Sequence, residues 1–101
     1  MNRYRLSPQA TDDVLAIYLQ GFERFGQRQA DAYQDELERT FERLAAFPQI
    51  GRVREDLTPE IRTIATGSHV IIYDPQGTGV TILRIRHGRE DWTADPLGYD
   101  Q

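Results

Sequence analysis

Around Pro48 the apolar residues of this chain change their period, and that change limits the possible folds more than any other feature. Upstream, Ala10, Val14, Ile17, Tyr18, Phe22 and Phe25 recur at helical steps, forming one stripe of an amphipathic helix. Ala30, Tyr33, Leu37, Phe41, Leu44 and Phe47 then repeat the pattern until Pro48 stops it. Ser7-Pro8 is a helix start: Ser7 caps free backbone N–H groups, and proline at the first helical position loses nothing by lacking its own. Asp12 and Asp13 are expected in the first turns, where the macrodipole favours them. Gly26 closes the first helix, and so short a join predicts an antiparallel helical hairpin.

Downstream the signal becomes strand-like. Ile61–Thr66, His69–Asp74 and Val80–His87 read as strands, with Gly67-Ser68 suited to a tight hairpin turn and residues 74–79 rich in turn chemistry. Residues 50–59 read as a loop, and Arg3–Leu6 as a short first strand. Strict alternation would place Val80, Ile82, Arg84 and Arg86 on one face of the last strand, with Thr81, Leu83, Ile85 and His87 on the other. The expected class is α+β, in the order β-α-α-β-β-β: an N-terminal strand and an antiparallel two-helix hairpin packed on a small, mainly antiparallel sheet. Two striped helices cover one sheet face. The other face, carrying Ile and Tyr beside arginines, is expected to lack a partner within the chain and so to suit binding another protein.

The expected layout is one domain over residues 1–92 followed by an acidic tail, 93–101. Net charge is −4, but it is unevenly placed. Residues 1–49 hold six Arg against eight acids, residues 50–89 six against four, and residues 90–101 no base against four acids, so the charge runs −2, +2, −4. Arginine is in excess on the C-terminal sheet region, where Glu90, Asp91, Asp95 and Asp100 are placed to screen it. The balance argues against an indiscriminate nucleic-acid binder, and no direct sequence-specific nucleic-acid binding is expected of the chain alone. All twelve basic residues are Arg, which leaves no Lys as a base or Schiff-base former. The absence of Cys removes disulfides, thiolate catalysis and Cys-type zinc sites, and His69 and His87 are too few for an unaided metal cage. No cofactor, metal or membrane span is expected, and the polar N-terminus, unlike a signal peptide, points to the cytoplasm.

Several short signposts occur in a telling order: Tyr4-Arg5-Leu6-Ser7-Pro8-Gln9-Ala10, Phe25-Gly26 with Gln29-Ala30 and Tyr33, and Leu44-Ala45-Ala46-Phe47-Pro48-Gln49-Ile50-Gly51-Arg52. Asp56-Leu57 with Ile61-Arg62, His69-Val70-Ile71-Ile72-Tyr73, and Arg84-Ile85-Arg86-His87-Gly88-Arg89-Glu90-Asp91 follow. Over about residues 3 to 92 the chain resembles the ParE/RelE superfamily of bacterial toxin-antitoxin toxins, on the ParE side. The resemblance implies a cytoplasmic toxin of a type II system, with a role in plasmid stabilisation. It would be neutralised by the extended tail of a cognate ParD-like antitoxin and would poison DNA gyrase by binding. RelE-type relatives instead cut mRNA on the ribosome, and a non-toxic antitoxin-binding relative is a third reading.

Candidate contacts for target or antitoxin are Arg52, Arg54, Arg62, Arg84, Arg86, His87, Arg89 and Trp92. Arginines suit charge-assisted capture of an acidic, apolar peptide. Each also has a plain structural reading: Arg84 and Arg86 as solvated strand residues, Arg89 paired with Asp91, and Trp92 as a lid on the core edge. Under the binding reading no residue is catalytic. Under the RNase reading the candidates are Arg62, Arg84 and His87, with His87 as the acid or base, since arginine cannot give up a proton near neutrality. His69 reads as a hydrogen-bonded residue at the core edge.

Overall fold

The computed structural model describes residues 3–56, 61–75, 77 and 79–97. In chain order they form β1 (Tyr4–Leu6), α1 (Pro8–Phe25), α2 (Gln27–Ala46), β2 (Arg52–Arg54), β3 (Ile61–Thr66), β4 (His69–Asp74), β5 (Val80–His87) and a single 3-10 turn, Trp92–Ala94. The sheet runs β1-β5-β4-β3-β2, with β1 parallel to β5 and every other pair antiparallel. This is the expected α+β arrangement.

The punctuation acts as its chemistry predicts. Ser7 Oγ accepts the Ala10 N–H at 3.0 Å with Pro8 at the first helical position. Gly26, at φ 87°, both ends α1 and begins α2. Gly67, at φ 54°, turns β3 into β4, and a β-carbon there would also collide with the Tyr33 ring. Asp12 and Asp13 lie beyond the first turn of α1, so neither acts there on the helix dipole.

One core is built on the helix-facing side of the sheet from Ala10, Leu37, Phe41, Leu44, Ile71, Tyr73, Val80, Ile82 and Ile85, with Tyr4, Leu6, Val14, Ile17 and Tyr33 packed against it. Tyr73 is fully buried, and its hydroxyl both donates to Pro48 O and accepts from Gly51 N, at 2.8 Å each. That bond pair anchors the end of α2 and the start of β2 to the sheet centre. It also explains Gly51, whose β-carbon would fall inside the Tyr73 ring.

Four expectations need correction. The loop at 50–59 contains a strand, because Arg52–Arg54 pairs with Ile61–Thr63; residues 57–60 lie outside the described set. The stripe read on the first helix mixes two faces: Ala10 is buried and Val14 and Ile17 pack inward, whereas Phe22 is 47% and Phe25 64% exposed. Phe47, read as the last core residue of the second helix, caps it and is exposed. Strict alternation on the last strand also fails. Ile72 pairs with Arg84 but Tyr73 with Ile82, so Leu83 is an extra residue in a bulge. The bulge puts Val80, Ile82 and Ile85 together in the core, and leaves Arg84 and Arg86 as cross-strand partners of Ile72 and Val70 on the opposite face.

Candidate protein-binding site

The sheet face away from the helices was expected to be open, and the C-terminal segment covers it. Arg86 Nη1 donates to Asp95 O at 2.8 Å and Pro96 O at 3.1 Å, and Arg84 Nη1 donates to Leu97 O at 2.5 Å. At the other edge of the sheet the Arg54 guanidinium stacks 5.0 Å from the Trp92 ring centroid, a cation–π contact. Arg54, through its partner Ile61, shares the register face of Arg84 and Arg86. Residues 92–97 therefore form a strap that reaches from β5 to β2 and back, a span of about 14 Å at the usual strand spacing. Beneath it Ile72 and Thr63 are buried although neither belongs to the helix-side core.

The candidate arginines divide by what they already hold. Arg84 forms a two-pronged ion pair with Asp13 of α1, at 2.7 and 3.0 Å, with both side chains less than a fifth exposed. The bond to Asp13 raises the Arg84 pKa further above its ordinary value. Arg86 grips Glu90 at 3.0 and 3.2 Å, which holds that carboxyl below its ordinary range, and Glu90 Oε1 also accepts the His87 N–H. Arg54 pairs with Asp56, and Arg62 donates to the backbone of Gln49 and Gly51 and to Gln49 Oε1. Arg52 and Arg89 form no ion pair among the described residues.

The three residues proposed for RNA cleavage are not gathered. Arg62 lies opposite Tyr73 and His87 opposite His69, so the two are offset by four residues, roughly 13 Å along β4, and lie on either side of that strand. The same register puts Arg84 on the face opposite His87. His87 meets His69 instead, with ring centroids 5.3 Å apart. His69 Nδ1 lies 2.6 Å from the Tyr33 hydroxyl, which also accepts the Ser68 N–H. Burial first, and then the neighbouring His87, lowers the His69 pKa below the ordinary 6.5.

Because the folded-state pKa of His69 lies below its unfolded value, the unfolded chain binds more protons as the pH falls. This contribution is complete above about pH 6.5 and is lost as the pH drops through the folded-state value. Glu90 is also depressed in the folded state, so its contribution disappears only below its ordinary 4.5. Urea midpoints should therefore fall between about pH 7 and 5.5, and His69→Gln should flatten that slope. An unchanged slope in the variant would show that His69 does not cause the dependence.

The sequence reading missed a second surface. Leu15, Leu19, Phe22 and Phe25 stand 57%, 55%, 47% and 64% exposed on the outer side of α1. Steps of four and three put Leu15, Leu19 and Phe22 in one line, the pattern that seats a partner helix. The signal was present in the sequence as an i, i+4 leucine pair. It was hidden because the inward stripe runs beside it.

A helical hairpin on a strapped five-stranded sheet, with arginines on one face and an uncovered apolar line on a helix, defines a small α+β domain. Residues 4–92 match the family described as the ParE toxin of the type II toxin-antitoxin system, parDE, and the chain belongs to that family. It is 36% identical over 91 residues to Toxin ParE1 of Mycobacterium tuberculosis, covering 89% of this chain and 93% of the relative. To Toxin ParE1 of Caulobacter vibrioides it is 39% identical over 87 residues, covering 86% and 90% respectively. A solved structure titled "Chromosomal ParDE TA system from P. aeruginosa" shares the fold, with a TM-score of 0.72 at 21% identity over 86% of this chain and 96% of that one. Among the described residues no helix is long and apolar enough to cross a membrane.

Proposed function

We propose that this chain acts in the cytoplasm by binding and inhibiting DNA gyrase, and that a cognate ParD-like antitoxin neutralises it by laying an amphipathic helix along α1. The uncovered line Leu15, Leu19, Phe22 and Phe25 carries the reading, because four large apolar side chains on one helix face favour a partner helix over water. Membership in the parDE family and the ParDE title of the structural neighbour support the partner's class. For gyrase, Arg52 and Arg89 are the best contact candidates of the original set, since neither is committed to an internal ion pair among the described residues. Arg54, Arg84, Arg86 and Trp92 hold the strap and act through it, while Arg62 holds the loop at Gln49–Gly51.

A supercoiling assay tests this. Purified, antitoxin-free protein should inhibit gyrase, the antitoxin encoded beside it should restore activity, and Arg52→Ala/Arg89→Ala should weaken inhibition by about tenfold or more. Folded protein that still stops cell growth but leaves gyrase untouched at large molar excess would sink the gyrase assignment.

A further inference from the structure

A cavity of about 400 Å³ lies between the closed end of the helical hairpin and the far ends of β4 and β5, well apart from the strap and its arginines. Its size falls within the range of small-molecule sites. The lining is chemically selective. In a chain with more acids than bases, the wall contains Arg24, His69 and His87 and, among the described residues, no carboxylate. Arg24 forms no ion pair among the described residues. The His87 tautomer is set by the backbone, because its Nδ1 accepts the Arg89 N–H at 3.0 Å, and its Nε2 must then carry the proton as a donor. A ring nitrogen so protonated cannot ligate a metal, but it can donate to an anion. The Ser68 hydroxyl adds a further donor.

The rest of the wall suits a flat ring. Phe25 is at the rim, 64% exposed, and Tyr18 also lines the cavity. Gln34 supplies the most pointed observation. Its amide nitrogen reaches Glu38 at 3.5 Å, but its Oε1 is buried with no hydrogen-bond partner, the one such side-chain atom among the described residues. A buried acceptor left unmet costs about 1–3 kcal/mol. Gln34 lines the cavity, and turning its amide toward a ligand that carries an N–H would remove that cost.

We propose that this cavity binds a small phosphorylated ligand with a planar, hydrogen-bonding ring, of the nucleoside monophosphate class. Arg24 and His87 hold the phosphate, and Gln34 Oε1 accepts from the ring. The reading does not depend on the gyrase or antitoxin assignments, since it uses nothing of the strap and shares only Phe25 with the outer line of α1.

The test is an NMR titration of the full chain with adenosine 5′-monophosphate, with adenosine and inorganic phosphate as separate arms. The monophosphate should shift the His69 and His87 imidazole signals saturably, while the Trp92 indole signal, on the other side of the sheet, stays still. Adenosine alone and phosphate alone should each bind at least about tenfold more weakly. Arg24→Gln should weaken the monophosphate by about tenfold or more. Gln34→Leu should weaken it too, while leaving thermal stability equal or higher, because it deletes the orphan acceptor.

Three results would each overturn the proposal. Phosphate binding as tightly as the monophosphate would mean that the ring wall contributes nothing. Gln34→Leu raising stability with unchanged binding would mark Gln34 as a packing defect only. No saturable shift up to about 10 mM ligand would mean that the cavity is not a site for this class.

Discussion

Leu15→Glu/Leu19→Glu should cost at least about a hundredfold in affinity for the antitoxin while leaving the toxin folded. Both leucines are already more than half exposed, and glutamate is about as good a helix former as leucine, so the free protein has little to lose. Its stability should stay within about 0.5 kcal/mol of the parent. In the complex the same positions would be desolvated against a partner helix, where each leucine side chain contributes about 1.5–3 kcal/mol. Two such losses, with a carboxylate left in an apolar contact, correspond to at least 10²-fold, about 2.7 kcal/mol or more. Calorimetric titration with the antitoxin measures the affinity. Co-expression gives the cellular counterpart: the variant should stay toxic and escape its antidote. Binding within about threefold of the parent would remove α1 from the interface and leave the strapped sheet face as the alternative.

Why this line, and the internal bonds of the arginines, were not legible in the sequence follows from which signals are local. Ser7-Pro8, Gly26, Pro48 and Gly67-Ser68 act on their own backbone, so the elements that they bound were legible at once. On α1 the inward residues Val14 and Ile17 sit beside the outward Leu15 and Leu19, and a periodicity of 3.6 cannot say which of two neighbouring stripes meets the sheet. The bulge at Leu83 is a mismatch between two strands and has no counterpart within either one. Reading β5 alone therefore grouped Arg84 with Val80 and Ile82. The strap was illegible for a different reason. Its hydrogen bonds use the carbonyls of Asp95, Pro96 and Leu97, and a backbone acceptor carries no side-chain signature. The acidic residues expected to screen the arginines do so at Glu90, which pairs with Arg86. The apolar partners that a protein-binding site needs lay on the other layer of the molecule.

Asp13→Ala should be the most destabilising single substitution among the polar residues, at about 3 kcal/mol or more. β1 ends at Leu6, opposite Ile82, and among the described residues no strand lies beside the rest of the β5 edge. The start of α1 substitutes for the missing strand. Ser7 N donates to Ile82 O at 2.9 Å, Ser7 Oγ donates to Leu83 O at 2.8 Å, and Asp13 Oδ2 accepts the Ile85 N–H at 2.9 Å as well as Arg84 Nε at 2.7 Å. Alanine at 13 would strand a mostly buried guanidinium and a backbone donor together, and each such loss is expensive because water cannot fully replace the partner. For a small domain with a total stability of about 5–15 kcal/mol, that is a large share. Asp13→Asn should fall between, since it keeps an oxygen acceptor but not the charge.

A double-mutant cycle with Arg84→Ala, read from urea midpoints, should return a coupling of about 2 kcal/mol, because the second substitution no longer has the ion pair to break. An Asp13→Ala midpoint indistinguishable from the parent would show the ion pair to be solvated and idle. The expected coupling would have a consequence for function: loss of toxicity on changing Arg84 would then report a released strap and a weakened β5 edge before it reported any contact with the target.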